Sequence, residues 1–560
     1  MAKVILGKVA ISWKGTYDNL ASYSAQDVVV KDNQCYICTT DGTTGQTPPN
    51  NSWELFTNSP INSASNEFDL ICKDENGNLL PLPIGIDDTV LGIDYFTRSP
   101  AWQPLRFQLG SRIQRFASEF GQDITESSCF AVDTNDRLRA WGNNAHYHLG
   151  IGSNTSNEML PIHVAFPQDF PGVSKLYTSN QTYLGVIDND GKWWVWGKGS
   201  ASGFVGSSIS TDIYKPTCLS LDNTNSIYSL SIAQSTQKVE VAGDNYNNLL
   251  LDTNGQVHFV GSSDHFYAAQ PNYINYSTIF SLPTMKQIAA TGFQQNATYY
   301  MLSNSTGEVW AFGYGSNGER GDAAFSAGHA AITKISSLSN IDKIYGAPGQ
   351  AYAICSTGEL YSWVKNNVGQ LGVNDTANRN VPTLSPVFDG TTRKAVSVYY
   401  NNGSTYRTTI VTSTNSSNTD HKTHFCGNAF GSVTNNQAFT EISGLNGKIV
   451  THVACVGGNG STNTITALFL TSTNELYVIG FGTYGQIGDG EGTTRQVLQR
   501  FRHIGKDIKI VDIHGFGHDD MTGFCLLDEN GRLFYMGSGL NMKSADDDSF
   551  DKFTLQEIVF

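Results

Sequence analysis

Along most of this chain, apolar residues fall in short runs separated by polar turns, and the arrangement recurs. Residues 466–480, TALFLTSTNELYVIG, show the unit: an apolar run, a Ser/Thr/Asn turn, then an alternating strand that ends in glycine. A short Gly, Asn or Asp connection between two β-rich runs predicts a hairpin, because those residues tolerate positive φ. Siblings read FAVDTNDRLRAWG, GVIDNDGKWWVWG, LLLDTNGQVHFVG, YMLSNSTGEVWAFG, STGELYSWVKNNVGQLG and CLLDENGRLFYMG, with a degenerate copy at NSSNTDHKTHFCGN. Aligned on the turn, the equivalent positions are Asp136, Gly191, Gly255, Gly307, Gly358, His421, Asn474 and Gly531. Their spacings of 55, 64, 52, 51, 63, 53 and 57 residues define a period.

Two further positions keep the register. Six residues after the turn stands a glycine in seven copies: Gly142, Gly197, Gly261, Gly313, Gly427, Gly480 and Gly537. Val364 takes that place in the remaining copy, which predicts a locally different backbone there. A second glycine follows at Gly150, Gly321, Gly372 and Gly488. Another short strand precedes most hairpins, as in IQRFASEFG, MKQIAATGF, IDKIYGAPG and IKIVDIHGFG. Several strands per unit of about 40–60 residues is the pattern of a propeller blade. The unit resembles the repeats of the regulator-of-chromosome-condensation family, with GELYSWVKNNVGQLG and NELYVIGFGTYGQIGDG as close matches. That resemblance covers residues 104–560 and implies an all-β propeller. Family members usually form seven blades, whereas eight hairpins occur here, so both seven and eight are open, with eight preferred. A blade completed by the two chain ends would change the count.

The glycine-rich segments also suggest phosphate loops, and the repeat argues against that. A P-loop needs G-x-x-x-x-G-K-[ST] between a strand and a helix. None of these segments carries the Lys-Ser/Thr pair, and no helix is predicted after them.

Composition supports a β-protein with many turns. Of 560 residues only 15% are charged, against about 25% in ordinary domains, and 56 are glycine. The length exceeds what one core usually supports, about 250–300 residues, unless the architecture is modular. A net charge of −15 without a Lys/Arg cluster argues against binding nucleic acid or anionic lipid. No run of 18 apolar residues occurs, so no membrane insertion is expected, and MAKVILGKVAISWKG lacks the apolar region of a signal peptide. Nine scattered cysteines fit reduced thiols in a protein made in a cytosol.

The first hundred residues differ. Residues 1–59 carry W-x-G-x-Y, Y-x-x-x-D-V-V, Y-I-C, a Gly/Thr/Pro loop and W-E-L-F. This resembles small carbohydrate-binding-module-like domains found near chitinases and in bacteriophage tail proteins. The resemblance makes Trp13, Tyr17, Tyr36 and Trp53 candidates for stacking on sugar rings, with Tyr23 a further matching aromatic. The opposing reading makes these aromatics the core of a tiny β-domain. Residues 60–103, containing Asp69-Leu70-Ile71, Leu82-Pro83-Ile84-Gly85 and Pro100-Ala101-Trp102, resemble a connector of phage tail fibres and depart from it at Asp87-Asp88.

Other candidate chemistry is weaker. Cys35 and Cys38 form a C-x-x-C with only Cys72 nearby, and positions i and i+3 of a strand point to opposite faces. His514, His518, Asp519 and Asp520 lie close in sequence, as do His146 and His148, without a recognised ligand pattern. Asp546, Asp547 and Asp548 lack the calcium-loop pattern. The tripeptide in ERGD, residues 319–322, occupies the slot of GQLG in other repeats, which makes it coincidental. No hydrolase motif stands out.

Together the two resemblances imply a structural, non-enzymatic phage tail-fibre or receptor-binding protein located in the virion. It would be a homotrimer, joined by its N-terminal region to tail or baseplate proteins, with the propeller meeting a bacterial glycan or outer-membrane receptor. No cofactor or metal is expected. The alternatives are a polysaccharide depolymerase and a guanine-nucleotide exchange factor, the activity of the repeat family's founding member.

Overall fold

A computed structural model describes residues 12–57 apart from 26 and 33, short strands between 70 and 104, and most of 113–558. Within the last span the segments 119–127, 145, 154–157, 179–182, 198–211, 219–239, 244–246, 262–272, 276–280, 292–297, 402–404, 433, 459–462, 502–507, 519–520 and 540–550 lie outside the description. The chain divides into two compact units, 1–108 and 109–560.

In the second unit the described strands form eight four-stranded sheets, each an antiparallel meander in chain order. We number these blades 1 to 8: 113–163, 173–218, 240–275, 285–334, 341–389, 394–441, 450–500 and 510–558. Blade 5 is representative, with strands Ile341–Ala347, Gln350–Cys355, Glu359–Val364 and Arg379–Asp389. Each sequence repeat thus builds a whole blade. The described sheets number one more than the seven that the family resemblance implied.

The apolar runs become second strands because a blade is covered on both faces. Ser128–Asp133, Thr298–Ser303, Gln350–Cys355, Thr408–Thr414 and Thr466–Thr471 are buried along their whole length. First strands of consecutive blades lie beside one another, which makes them the inner strands. The fourth strands face outward, as the largely exposed Arg495–Arg500 shows. Hydrophobic clusters fill the spaces between blades. Phe130, Val132 and Val186 with Trp196 join blades 1 and 2. Corresponding clusters join blades 3 to 4, 4 to 5, 5 to 6, 6 to 7 and 7 to 8. Cys129, Trp141, Phe516 and Tyr535 join blade 8 to blade 1, so the chain ends meet by packing. Among the described residues no sheet mixes strands from both ends.

A backbone latch accompanies this packing. An amide at the start of an inner strand donates to the turn residue of the preceding blade: Val173 to Asp136 O at 2.9 Å, Met285 to Gly255 O at 2.9 Å, Ile341 to Gly307 O at 3.0 Å and Ala395 to Gly358 O at 2.9 Å. Ile113 makes the same bond to Gly531 O at 2.9 Å and closes the ring. Between blades 7 and 8 the acceptor is instead the Asn474 side chain, which takes the Ile510 amide at 2.9 Å. The turns themselves are set by buried aspartates. Oδ1 of Asp188, for example, accepts the amides of Asp190 and Lys192 at 3.0 and 2.7 Å.

The glycine ending the third strand is needed on two counts. Gly427, Gly480 and Gly537 have φ of 84°, 129° and 121°. A side chain at Gly480 would lie 2.2 Å from the Ile465 carbonyl oxygen. Val364 was expected to differ locally, and that expectation is overturned: it adopts φ 90°, within the range of the glycines it replaces. The backbone is kept and the residue is strained, since a β-branched side chain strongly disfavours positive φ. Across the ladder, where other blades carry Arg407 or Ile465, blade 5 carries Gly349 at φ 71°. Its carbonyl accepts the Lys365 amide at 3.0 Å, as Arg407 O accepts that of Asn428 at 2.8 Å. The glycine has moved to the turn just before the partner strand.

The first unit contains a four-stranded sheet of Ser12–Thr16, Asp27–Lys31, Gln34–Cys38 and Trp53–Thr57. The first pair is parallel and the others antiparallel. Its core is Tyr23, Val29, Tyr36, Cys38 and Trp53.

Candidate functional site

The glycine-rich loops after the third strands clasp neighbouring blades. In the loop after Val364, the Gly369 amide donates to Asn366 O at 2.9 Å and Gly372 to Gly369 O at 3.0 Å. Leu371 donates to Asn366 Oδ1 at 2.9 Å and Val368 to Gln370 Oε1 at 3.0 Å. Blade 7 repeats this with Tyr484 on Gln486 Oε1 at 2.9 Å, and blade 4 with Asn317 on Glu319 Oε2 at 2.7 Å. These amides turn inward, whereas a phosphate cradle presents them outward.

The carbonyl in the middle of each loop receives a donor. Trp196 Nε1 donates to His148 O at 2.7 Å, and Trp363 Nε1 to Glu319 O at 3.1 Å, each reaching back to the preceding blade. Gln370 O accepts Thr409 Oγ1 at 2.9 Å and Cys426 Sγ at 3.1 Å from the following blade. Trp363 therefore packs between blades 4 and 5, edge-on to Tyr300 with ring centroids 5.4 Å apart. The same role explains the ERGD segment. Glu319 and Arg320 are each only 4% exposed, and Arg320 Nε bonds the exposed Asp322 at 2.7 Å, so the arginine of the tripeptide is turned inward.

Where blades 5 and 6 meet, this clasp becomes a polar network. Tyr352 hydroxyl bonds Gln350 Oε1 at 2.5 Å, Thr409 Oγ1 at 2.6 Å and Gln370 O at 3.1 Å. Burial pushes the Tyr352 phenol well above its ordinary value. At the loop end of the network stand Lys365 and Arg407. Burial holds both below their ordinary values, and the Arg407 guanidinium lowers Lys365 further. This pair was not singled out in the sequence because its members belong to different repeats. The one signal was that Lys365 directly follows Val364, the exception in the glycine register.

The other sequence candidates fall as follows. Tyr36 and Trp53 are each 4% exposed. Trp53 packs edge-on to Tyr23 at 5.1 Å and Tyr17 at 5.8 Å, with Nε1 bonded to Gln46 O at 2.6 Å. Tyr17 is half-buried and stacks on Tyr23 at 5.6 Å. Trp13 lies on the first strand, and its side chain is outside the described residues. Cys38 is buried and donates to Thr40 O at 3.1 Å; the side chains of Cys35 and Cys72 are outside the description. His146 lies 3.4 Å from Asp212 and 5.8 Å, ring to ring, from His148. His514 is pushed down by burial. Asp519, Asp520 and Asp546 to Asp548 lie outside the described residues. Among the described residues no group of three or more His, Cys, Asp or Glu is placed to hold a metal.

The regulator of chromosome condensation (RCC1) repeat family matches residues 357–401, from the blade 5 hairpin turn through the inner strand of blade 6. Over 206 residues the chain is 30% identical to mouse probable E3 ubiquitin-protein ligase HERC4, covering 35% of this chain and 18% of that protein. Human E3 ubiquitin-protein ligase HERC2 is 27% identical over 209 residues, covering 36% of this chain and 4% of that one. The chain thus spans less than one fifth of the length of these curated relatives. The structure of yeast RCC1 (Prp20) bound to Kap60 is similar at 13% identity and a TM-score of 0.44, over 80% of this chain and 85% of that one.

The fold is an all-β propeller of RCC1-type repeats, as the repeat pattern indicated. The biological setting is corrected. These relatives are eukaryotic proteins, and they overturn the expectation of a phage tail fibre. With it, on the evidence of the HERC4 and HERC2 matches, go the virion location, the tail and baseplate partners, the bacterial glycan or outer-membrane receptor and the homotrimer. The expectation of a protein outside enzymology is overturned by the HERC4 and HERC2 matches, which are named as ubiquitin ligases. The physical source of the error is visible in Tyr36 and Trp53: a small β-domain buries its aromatics whatever its biological setting.

Proposed function

We propose that this chain is a protein-recognition propeller that engages a small GTPase in the manner of a nucleotide-exchange factor. The observation that carries the reading is the RCC1-type repeat at 357–401, which spans the junction of blades 5 and 6. Around it the second strand is fully buried and the third largely so by packing between blades, which leaves recognition to the connecting loops and the outward fourth strands. A net charge of −15 favours a partner with a basic surface and speeds its encounter. The test is binding to small GTPases prepared nucleotide-free and GDP-loaded. An exchange factor holds the nucleotide-free form more tightly; equal affinity for both, or none, contradicts the reading.

A second reading is favoured by the HERC4 and HERC2 matches: a recognition module serving a ubiquitin ligase. It predicts that the chain captures a protein that a ubiquitin-charged ligase then modifies. Unchanged modification when the chain is omitted removes this reading.

A further inference from the structure

On the face of the ring that carries the hairpin turns, three neighbouring blades expose apolar residues at the starts of their inner strands. Val396 of blade 6, Ile449 of blade 7 and Val511 of blade 8 are 43%, 47% and 40% exposed. Seven large hydrophobic side chains are exposed among the described residues of the ring, and three of them gather here. Val396 and Val511 each follow a buried residue at the start of the strand, Ala395 and Ile510, whereas Ile449 precedes the equivalent Val450. The inner strands of blades 6 and 7, and of blades 7 and 8, lie side by side. Across the first junction the Tyr399 hydroxyl donates to Thr451 O at 3.5 Å, and across the second Asn474 Nδ2 donates to Ile508 O at 3.2 Å. The Ser472 amide donates to Ile449 O and the Glu529 amide to Lys509 O, both at 2.8 Å, which seats these strand starts against the turns of their own blades.

Basic residues border the arc. Lys394 and Lys509 immediately precede Ala395 and Ile510, and Lys448 immediately precedes Ile449. Lys509 is paired with Glu529 at 2.8 Å, and Arg393 with Asp420. Lys448 shares the Glu475 carboxylate with Arg500, at 2.7 and 3.0 Å, so that group keeps one positive charge in excess. Lys394 forms no ion pair among the described residues. Further along the same strands, Lys343, which donates to Val396 O at 2.8 Å, and the half-buried Asp512 balance in charge.

A contiguous apolar patch with a polar rim marks a surface that is covered in function. Its local charge is positive on a chain of net charge −15. An acidic segment is therefore repelled over most of the molecule and attracted here, which fixes where it docks. An anionic bilayer does not fit equally well, because it meets a whole face of an acidic protein at once.

We propose that the arc of Val396, Ile449 and Val511 binds an acidic peptide segment of a partner protein, with apolar side chains on the arc and carboxylates at Lys394 and Lys448. The surface goes beyond the nucleotide-exchange reading and does not depend on it, so either stands if the other fails.

The test is selection of random short peptides against the immobilised full chain, followed by fluorescence anisotropy of the enriched peptides. The expected sequences combine Asp or Glu with Leu, Ile, Val or Phe. Ile449→Asp and Val511→Asp, on different blades and at exposed positions, each weaken these peptides by about 10-fold or more, the loss of one central interface contact. Lys394→Glu weakens them as well, and added salt weakens the wild type. Val497→Asp, at a position 71% exposed on the outward strand of blade 7, leaves the affinity unchanged. No enriched class, enrichment of basic peptides, or equal affinity of Ile449→Asp, Val511→Asp and wild type overturns the proposal. Self-association of the chain, or binding to phosphatidylserine vesicles, that these two variants abolish while the peptides stay bound would assign the arc to another occupant and overturn it too.

Discussion

The amide of Ile113 donates to the carbonyl of Gly531 at 2.9 Å and joins the first inner strand to the last hairpin. The bond has the form and length found inside the ring, as between Met285 and Gly255 or Ala395 and Gly358. The junction of blades 8 and 1 is therefore built like any other. Cys129, Trp141, Phe516 and Tyr535, all at most 1% exposed, seal it.

Hydrogen exchange checks this equivalence. The Ile113 amide should exchange as slowly as those of Met285, Ile341 and Ala395, because opening it separates two packed blades. Fast exchange at Ile113 with slow exchange at the other three would show that the ring is open at this junction.

The glycine ending the third strand gives an asymmetric pair of variants. Gly480→Val drives a side chain into the Ile465 carbonyl and should destabilise by roughly 3 kcal/mol or more, or prevent folding. Val364→Gly loses a fully buried side chain, about 1.5–3 kcal/mol, and relieves strain of about 1–3 kcal/mol, so the net change stays within about 2 kcal/mol. Denaturant midpoints of the two variants measure the contrast. A loss for Val364→Gly matching that of Gly480→Val would mean that Val364 is unstrained.

Acid sensitivity should come in part from His424. Burial pushes its imidazole down to about 4 from an ordinary 6.5, the nearby Glu441 carboxylate opposing. Its ring stands edge-on to Phe388 at 5.2 Å, with Nδ1 3.3 Å from Ser413 Oγ. Between pH 6.5 and about 4 the unfolded chain binds a proton at this residue that the folded chain refuses. Stability is then fully present above pH 6.5 and falls on acidification through that window, by a contribution on the order of 3 kcal/mol. The melting midpoint of His424→Gln should depend less on pH between 7 and 4.5 than that of the wild type. Parallel curves would remove His424 from the account.

What the sequence disclosed follows from what repeats. The turn at Asp136, Gly255 or Gly531 recurs in each blade and the glycine at Gly142 or Gly480 in seven of the eight, so their period reveals the fold. Val364 was misread because the compensating glycine, Gly349, sits in the turn before another strand and outside the aligned register. The clasp of Trp363 on Glu319 O was half legible: the tryptophan and the loop were each apparent, but a bond between residues 44 positions apart was not. Lys365 and Arg407 were invisible for the same reason, since the ring and no local pattern brings them together. In the first unit, Trp53 and Tyr36 were read both as candidates for stacking on sugar rings and as the core of a small β-domain, and the identity of the whole protein was misjudged from the resemblance they carry.

The central claim, recognition of a small GTPase by this propeller, is tested most directly by the release rate of a fluorescent guanine nucleotide. The account predicts that the full chain, added in catalytic amount, accelerates release from at least one member of a GTPase panel. It also predicts that the rate saturates with GTPase concentration. Release at the intrinsic rate from every member, with chain whose melting curve shows it folded, would contradict the claim.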